Sequence, residues 1–369
     1  MMKLKLMILA PPNSIHTKRW IASLSKNYIE IILFGVHPTD NEFYCQFDSV
    51  KVISINYSSS FENTSFRKIK YLSVLKSLKK IILEFKPDII HAHYASSYGL
   101  IGALTKFHPL IISVWGSDIY EFPKISFLHK MILKYNLSKA DYILSTSHIM
   151  AGETKKYTDK AIEITPFGVD VEMFKKSPVK RKKNEFIIGT VKTLSLNYGI
   201  DILIKSFHLV IKNNPKLKLK LQIIGDGPDK LKLQQLAYSI GIRDSVEFLG
   251  QIDNNILPNY YNNFSVAVFL SISESFGVVA VEAMACECPV VVSNAEGFKE
   301  VVINNKTGLI VPIRDIEATA MAIQKFIDND ELRYEVGQNG RERVVNLYDW
   351  NKNVEHMLNI YNKVISTYY

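Results

Sequence analysis

Near-continuous aliphatic runs recur along this chain at intervals too long for hairpins, and that pattern restricts the fold more than any other feature of the sequence. The first series falls at Leu4 to Leu9, Ile29 to Phe34, Asp88 to His91, Leu110 to Val114 and Tyr142 to Ser145. A second follows at Phe186 to Val191, Leu219 to Ile224, Val246 to Leu249, Val266 to Leu270 and Pro289 to Ser293. Strands buried on both faces read as such runs, and parallel neighbours need a crossover helix between them. Helix-length stretches separate the runs, so the predicted class is α/β with doubly wound parallel sheets. The chain has 369 residues, more than one core usually serves, and the two series divide it into two domains.

Between them, KKSPVKRKK from Lys175 to Lys183 is charged, contains Pro178 and lacks apolar periodicity, which reads as an exposed linker. The expected parts are a first domain at 1–175, a basic linker at 176–184, a second domain at 185–349 and a final helix at 350–369. Val354, Met357, Leu358, Tyr361 and Val364 form an apolar stripe on that helix, which is expected to pack back on the first domain. Two such domains would turn the carboxyl ends of their strands toward a central cleft, an arrangement suited to two substrates.

Composition removes several alternatives. An apolar fraction of 47% with 22% charged residues supports packed cores and excludes a disordered chain. The opening MMKLKLMILAPP has too short an apolar run for a signal peptide and meets Pro11 and Pro12 at once, so it reads as a first buried strand. No apolar stretch reaches about 18 residues, so a soluble or peripheral protein is expected. Cys45, Cys286 and Cys288 form no disulfide framework, which suits the cytoplasm. The Cys286 and Cys288 pair lacks a second ligand cluster, so no metal is expected there.

The net charge of +9 fits nucleic acid, anionic lipid or a phosphorylated substrate. Its distribution is informative: Ser65 to Lys80 carries six basic residues, no acidic ones, and apolar residues near helical spacing. Such a helix fits an anionic leaflet and, equally, a core helix with a solvated lysine face.

The segment from Ser271 to Pro312 carries the chemistry. Gly277 precedes a run of helix formers, and a helix start offers unpaired N–H groups and a partly positive end to an anion such as a diphosphate. Glu274 lies in the preceding loop and Glu282 inside the helix, where two carboxylates could hold hydroxyls on different parts of one ligand. Alone, this spacing is equally that of a capping and a surface glutamate.

The stretch ESFGVVAVEAMA resembles the glutamate-x7-glutamate signature of the retaining GT-B glycosyltransferases of the sucrose-synthase-like family, glycosyltransferase family 4. PFGVDVEMF at 166–174, IGTVKTLSLNYGIDILI at 188–204, IGDGPD at 224–229, VEFLG at 246–250 and NNKTGLIV at 304–311 extend the resemblance over nearly the whole chain. It implies two Rossmann-like domains and a nucleotide-sugar donor, linked to UDP or GDP. Glu274 would contact the donor sugar, the Ser275, Phe276, Gly277 and Val278 stretch the diphosphate, and Glu282 the ribose. Gly225 and the loop at Gly250 to Ile252 would complete the donor site, with Ile252 near the base.

The chain departs from the family where PPNSIHTKRW lacks the glycines that many relatives carry after the first strand, and at three further places. Lys192 holds the first position of a basic pair, whereas the second reads Asn197. A glycine pair is reduced to Gly297 beside Glu296, which could crowd the loop or project into solvent. Trp115 replaces a histidine before Gly116, Ser117 and Asp118, which leaves Asp118 to meet the sugar or acceptor hydroxyl.

On the acceptor side, His16 and Arg19 follow the first strand in a helix capped by Asn13 or Ser14 and could meet an anion. His93 and Tyr94 lie where the strand through His91 is expected to end between the two histidines.

The implied reaction is a metal-independent, front-face transfer with retention, with Glu274, Asp118 and Lys192 as catalytic residues and no cofactor. The implied acceptor is a glycan, with a polyprenyl-diphosphate-linked form fitting the basic first domain on the inner face of a membrane; nucleic acid is not an expected partner. A non-catalytic GT-B-like subunit is the alternative, favoured by Asn197 and Trp115. A dehydrogenase lacks its GxGxxG after the first strand.

Overall fold

The computed structural model describes residues 3–37, 39, 42–55, 67–178 and 185–368, with the backbone alone for 67–73. Much of the linker, residues 179–184, and part of the basic stretch at Ser65 to Lys80 therefore lie outside the described side chains. The chain forms two compact units. The first comprises residues up to Thr165 together with those from Val354 onward, and the second runs from Pro166 to Asn353.

In the first unit, β1 (Leu4–Leu9), β2 (Ile29–Gly35), β3 (Val50–Ser54), β4 (Ile89–His93), β5 (Leu110–Val114), β6 (Tyr142–Ser145) and β7 (Ile162–Ile164) form one sheet in the order β3-β2-β1-β4-β5-β6-β7. Every pairing is parallel. In the second, β8 (Glu185–Val191), β9 (Lys218–Ile224), β10 (Val246–Gly250), β11 (Val266–Phe269), β12 (Val290–Ser293) and β13 (Leu309–Val311) run in the order β10-β9-β8-β11-β12-β13. These pairings are parallel too. The two doubly wound sheets are those of the GT-B fold.

Each aliphatic run is a strand. The runs missed β3, β7 and β13, which lie at sheet edges. Partial exposure there permits Lys51 in β3 and Glu163 in β7, so the apolar run that marks a doubly buried strand is broken. The expected end of β4 is also corrected. The strand runs through both His91 and His93, so period-2 alternation puts both rings on one face, 4.7 Å apart.

The boundary differs from expectation because PFGVDVEMF belongs to the second unit. Arg341 donates to the carbonyls of Val171 (2.9 Å), Phe174 (2.6 Å) and Ala285 (2.8 Å). Val169 bonds Tyr348 and Trp350 through its backbone, and a side chain on Gly168 would meet the Tyr348 carbonyl.

The final helix, Trp350–Tyr368, buries Met357, Ile360, Tyr361 and Val364. Each buried aliphatic side chain contributes about 1.5–3 kcal/mol. Tyr361 ends within the first unit, where its hydroxyl lies 2.8 Å from His91 Nδ1.

In open sheets of this kind, ligand sites form beyond the carboxyl ends of the strands where the order reverses. Those points fall between β1 and β4 and between β8 and β11.

Candidate active site

Beyond β8 and β11 the second unit brings together two loops. Lys192 follows β8, and its Nζ lies 2.6 Å from Glu274 Oε2, with the two side chains only 14% and 13% exposed. Ser271 Oγ donates to the same carboxylate oxygen at 3.2 Å, and the Ser271 carbonyl accepts from Ser293 Oγ at 2.6 Å. Lys192 Nζ also lies 4.8 Å from the centroid of the Tyr198 ring, a cation–π contact. An ammonium so withdrawn from water is screened less than a surface lysine, and Glu274 offsets its charge until a further anion draws it away.

Asn197 stands differently. Its side chain is exposed, while its carbonyl accepts from the Ile272 amide at 2.9 Å, joining the two loops through the backbone.

Two glycines shape the loop from Glu274 to Val278. Gly277 has φ 95°, a conformation that disfavours a side chain, and it caps the helix Val278–Ala285. Gly297 lies against the loop: its amide donates to the Glu274 carbonyl at 3.0 Å, and a Cβ there would sit 2.5 Å from the Phe276 nitrogen. Phe276 is buried edge-on against Phe167 and Tyr348, which anchors the loop, while Ser275 and Val278 are half-buried. Glu296 does not crowd it; the side chain is exposed and pairs with Lys299 at 2.7 Å. The site thus brings a cation from the loop after β8 to a carboxylate and a helix start that lie together in the loop after β11.

Glu282, inside that helix, is half-buried and accepts a 2.9 Å hydrogen bond from the buried Tyr261 hydroxyl. Gly225 (φ 131°) lies against the loop after β8, where a Cβ would meet the Lys192 carbonyl. Its amide donates to the Gly250 carbonyl at 2.8 Å, so Lys192, Gly225 and Gly250 (φ 73°) form a chain of adjoining loops, with Ile252 half-buried beyond. Cys286 and Cys288 are buried free thiols, and burial pushes the Cys286 thiol up. Tyr261 lies 21 residues from Glu282, so no local spacing pairs them, and the contacts of Ser271 and Tyr198 with Glu274 and Lys192 depend on how their loops fold.

In the first unit, Trp115 gathers His93 (ring centroids 4.3 Å apart), Tyr94 (5.1 Å) and His16 (5.8 Å) at the ends of β4 and β5. Tyr94 takes φ 70° there, and burial raises its hydroxyl's pKa, with Asp118 adding to the effect.

Asp118 is corrected. Its carboxylate is buried and accepts from the amides of Ala95 (2.7 Å), Trp115 (3.1 Å) and Gly116 (2.9 Å), so it organises two backbone loops and does not face a hydroxyl. Burial raises its pKa, while these amides oppose the shift. His16 could meet an anion only as a neutral hydrogen-bond donor, and so without a charge of its own. Burial, with Arg19 adding to it, lowers its pKa to about 4, which leaves the ring neutral near pH 7. Arg19 is half-buried in the same helix, Ile15–Leu24, whose N-cap is Ser14.

His91 and His93 are fully buried. His91 is held by Tyr361 and by Ser113 (2.7 Å), and burial lowers its pKa to about 3; burial, then His91 and His16, lowers that of His93, whose Nδ1 has no hydrogen-bond partner. Below pH 6.5 the unfolded chain therefore binds protons at three histidines that the folded chain leaves neutral. Stability present above that pH is lost as pH falls toward 4, by up to about 1.4 kcal/mol per pH unit for each ring. Urea midpoints should fall steadily between pH 7 and pH 5, and less steeply in His93→Asn; equal midpoints across that range would refute this.

Comparison with known proteins agrees with this architecture. Residues 172–343 match the profile of the family described as glycosyl transferases group 1, and residues 5–147 that of glycosyl transferase 4-like proteins. The chain is 29% identical over 323 residues to the capsular polysaccharide biosynthesis glycosyltransferase CapM of Staphylococcus aureus, covering 80% of this chain and 83% of that one. It is 24% identical over 324 residues to the N-acetyl-alpha-D-glucosaminyl L-malate synthase of Bacillus anthracis, covering 85% and 83%. Among solved structures, the sucrose-phosphate synthase of Thermosynechococcus elongatus aligns with a TM-score of 0.82 at 21% identity, over 99% of this chain and 100% of that one. Anabaena HepE in complex with UDP aligns with a TM-score of 0.81 at 19% identity, over 98% and 100%. With both halves matched in order and both sheets wound as that fold requires, the chain belongs to the group 1 family of retaining, GT-B glycosyltransferases.

Proposed function

We propose that this glycosyltransferase moves a hexose from a UDP- or GDP-sugar to a glycan carried on polyprenyl diphosphate, in the assembly of a surface polysaccharide. The observation that carries the donor reading is the half-withdrawn pair of Lys192 and Glu274 at the reversal point of the second sheet, beside the start of the helix Val278–Ala285. Lys192 and the helix N–H groups hold the diphosphate, Glu274 the sugar hydroxyls, and Glu282, oriented by Tyr261, the ribose diol.

In the reaction, the bond from the anomeric carbon to the diphosphate breaks, and the acceptor oxygen bonds to the same face. The departing phosphate oxygen takes the acceptor proton, so the first unit need not provide a base, in keeping with a tryptophan at 115 and a buried Asp118. HepE has been solved with UDP-glucose, which favours uridine as the base, and the name of CapM favours a polysaccharide acceptor.

Thermal stabilisation tests the donor site. UDP or GDP at about 100 times its dissociation constant should add about 2.7 kcal/mol of stability, and Glu282→Ala should reduce the gain. If UDP, GDP and ADP all leave the melting point unchanged, the donor reading fails and a non-catalytic subunit takes its place.

A further inference from the structure

The helix Phe127–Lys139 is apolar on two sides. Leu133 and Leu137 are buried in the first unit's core, while Phe127 is 78% and Leu128 61% exposed, and Met131 and Tyr135 are exposed with them. At 100° per residue these four fall within about 100° of arc, with Lys130 and Lys134 along one border and Lys139 along the other. Lys139 Nζ lies 5.6 Å from the Tyr135 ring centroid, along that border. Exposed Ile125 and Lys124 on the preceding turn continue the surface, and no acidic residue occurs from Phe122 to Lys139. A solvated face does not need such large apolar side chains, and monomeric proteins rarely gather them in one patch.

We infer that the face of the helix Phe127–Lys139 bearing Phe127, Leu128, Met131 and Tyr135 docks on the surface of an anionic phospholipid bilayer. The apolar side chains enter the boundary between headgroups and acyl chains, and the flanking lysines meet lipid phosphates, since lysine stems reach outward while their ammonium groups stay in the polar layer. Charge complementarity selects this occupant over a second copy of the chain: two such faces would set lysine borders against one another, at a net charge of +9 per chain. The inference is independent of the sugar donor and of the acceptor. It concerns a different segment from the basic stretch at Ser65 to Lys80, part of which lies outside the described side chains.

Co-sedimentation of the full chain with extruded vesicles tests it. Vesicles of phosphatidylglycerol and phosphatidylcholine should bind the protein at least tenfold better than phosphatidylcholine alone, and 0.5 M salt should weaken that binding. Each lysine near the surface is worth about a fivefold change, so Lys130→Ser with Lys134→Ser and Lys139→Ser should lose on the order of 100-fold. Phe127→Ser with Leu128→Ser and Met131→Ser should lose at least tenfold at unchanged melting temperature, since these side chains are exposed. Equal binding to both vesicle types, or variants that bind as the wild type does, would overturn the inference. So would variants that only convert a dimer to a monomer, which would assign the patch to a second copy of the chain.

Discussion

Lys192→Ala is expected to lower kcat by roughly 10²–10³-fold while changing KM for the donor far less, the range seen when one donor to a developing oxyanion is removed. Charge builds on the phosphate oxygen as the glycosidic bond breaks, so a cation at Lys192 acts more strongly in the transition state than in the bound substrate. The dependence should be strong here because the resemblance puts Asn197, exposed and neutral, where the family has its second cation. The same lysine holds Glu274 at 2.6 Å, so its loss also frees that carboxylate from its tightest contact. Glu274→Gln should therefore fall heavily on its own, and the double variant should be little worse than the poorer single one, because the pair acts as a unit. Lys192→Arg should recover only part of the rate, since a planar fork replaces a compact ammonium. Steady-state kinetics decide the matter: a loss under tenfold for Lys192→Ala, or losses that multiply in the double variant, would remove Lys192 from the proposed catalytic group.

Gly297→Ala should weaken nucleotide binding at least tenfold and cost about 1–3 kcal/mol of stability, as forced repacking of a tight site does. The added Cβ would lie 2.5 Å from the Phe276 nitrogen and 2.7 Å from the Glu274 carbonyl oxygen and the Ser275 carbonyl carbon. These are backbone atoms and cannot swing aside as a flexible side chain could. The loop cannot retreat freely either, because Phe276 is buried against Phe167 and Tyr348. Its neighbour is the natural control. Glu296 is exposed and makes only a surface ion pair with Lys299, so Glu296→Ala should change stability by less than about 0.5 kcal/mol and leave nucleotide binding intact. Urea unfolding and calorimetric titration with UDP read both variants. Equal behaviour of the two would show that the loop is not held from behind by Gly297.

The distance between those neighbours in effect shows what local pattern can and cannot convey. The resemblance implied that one glycine of a pair is retained at Gly297 and one replaced by Glu296, but whether Glu296 crowded the loop depended on which way its backbone faced. Similarly, the spacing of Glu274 and Glu282 pointed to a ligand only through the resemblance that ESFGVVAVEAMA carries. That Tyr261 bonds Glu282, and that Tyr198 lies beside Lys192, required separate elements to be assembled. In the first unit, Asp118 looked available for chemistry until the fold directed three backbone amides at it.

What the sequence by itself determined was therefore whatever depends on near neighbours in the chain. Doubly buried strands declared themselves because each must be apolar on both faces, and the order of runs and crossovers implied two wound sheets. The stretch from Glu274 to Glu282 stood out because a helix start and two carboxylates lie within a few turns of chain. The tertiary structure alone decided the edge strands β3 and β7, whose partly exposed residues break that signature, and the boundary at Pro166, beyond which Arg341 bonds Val171 and Phe174 from far along the chain. It alone decided which side of Phe127–Lys139 is covered, because helical periodicity marks apolar faces but not which of two the core will take.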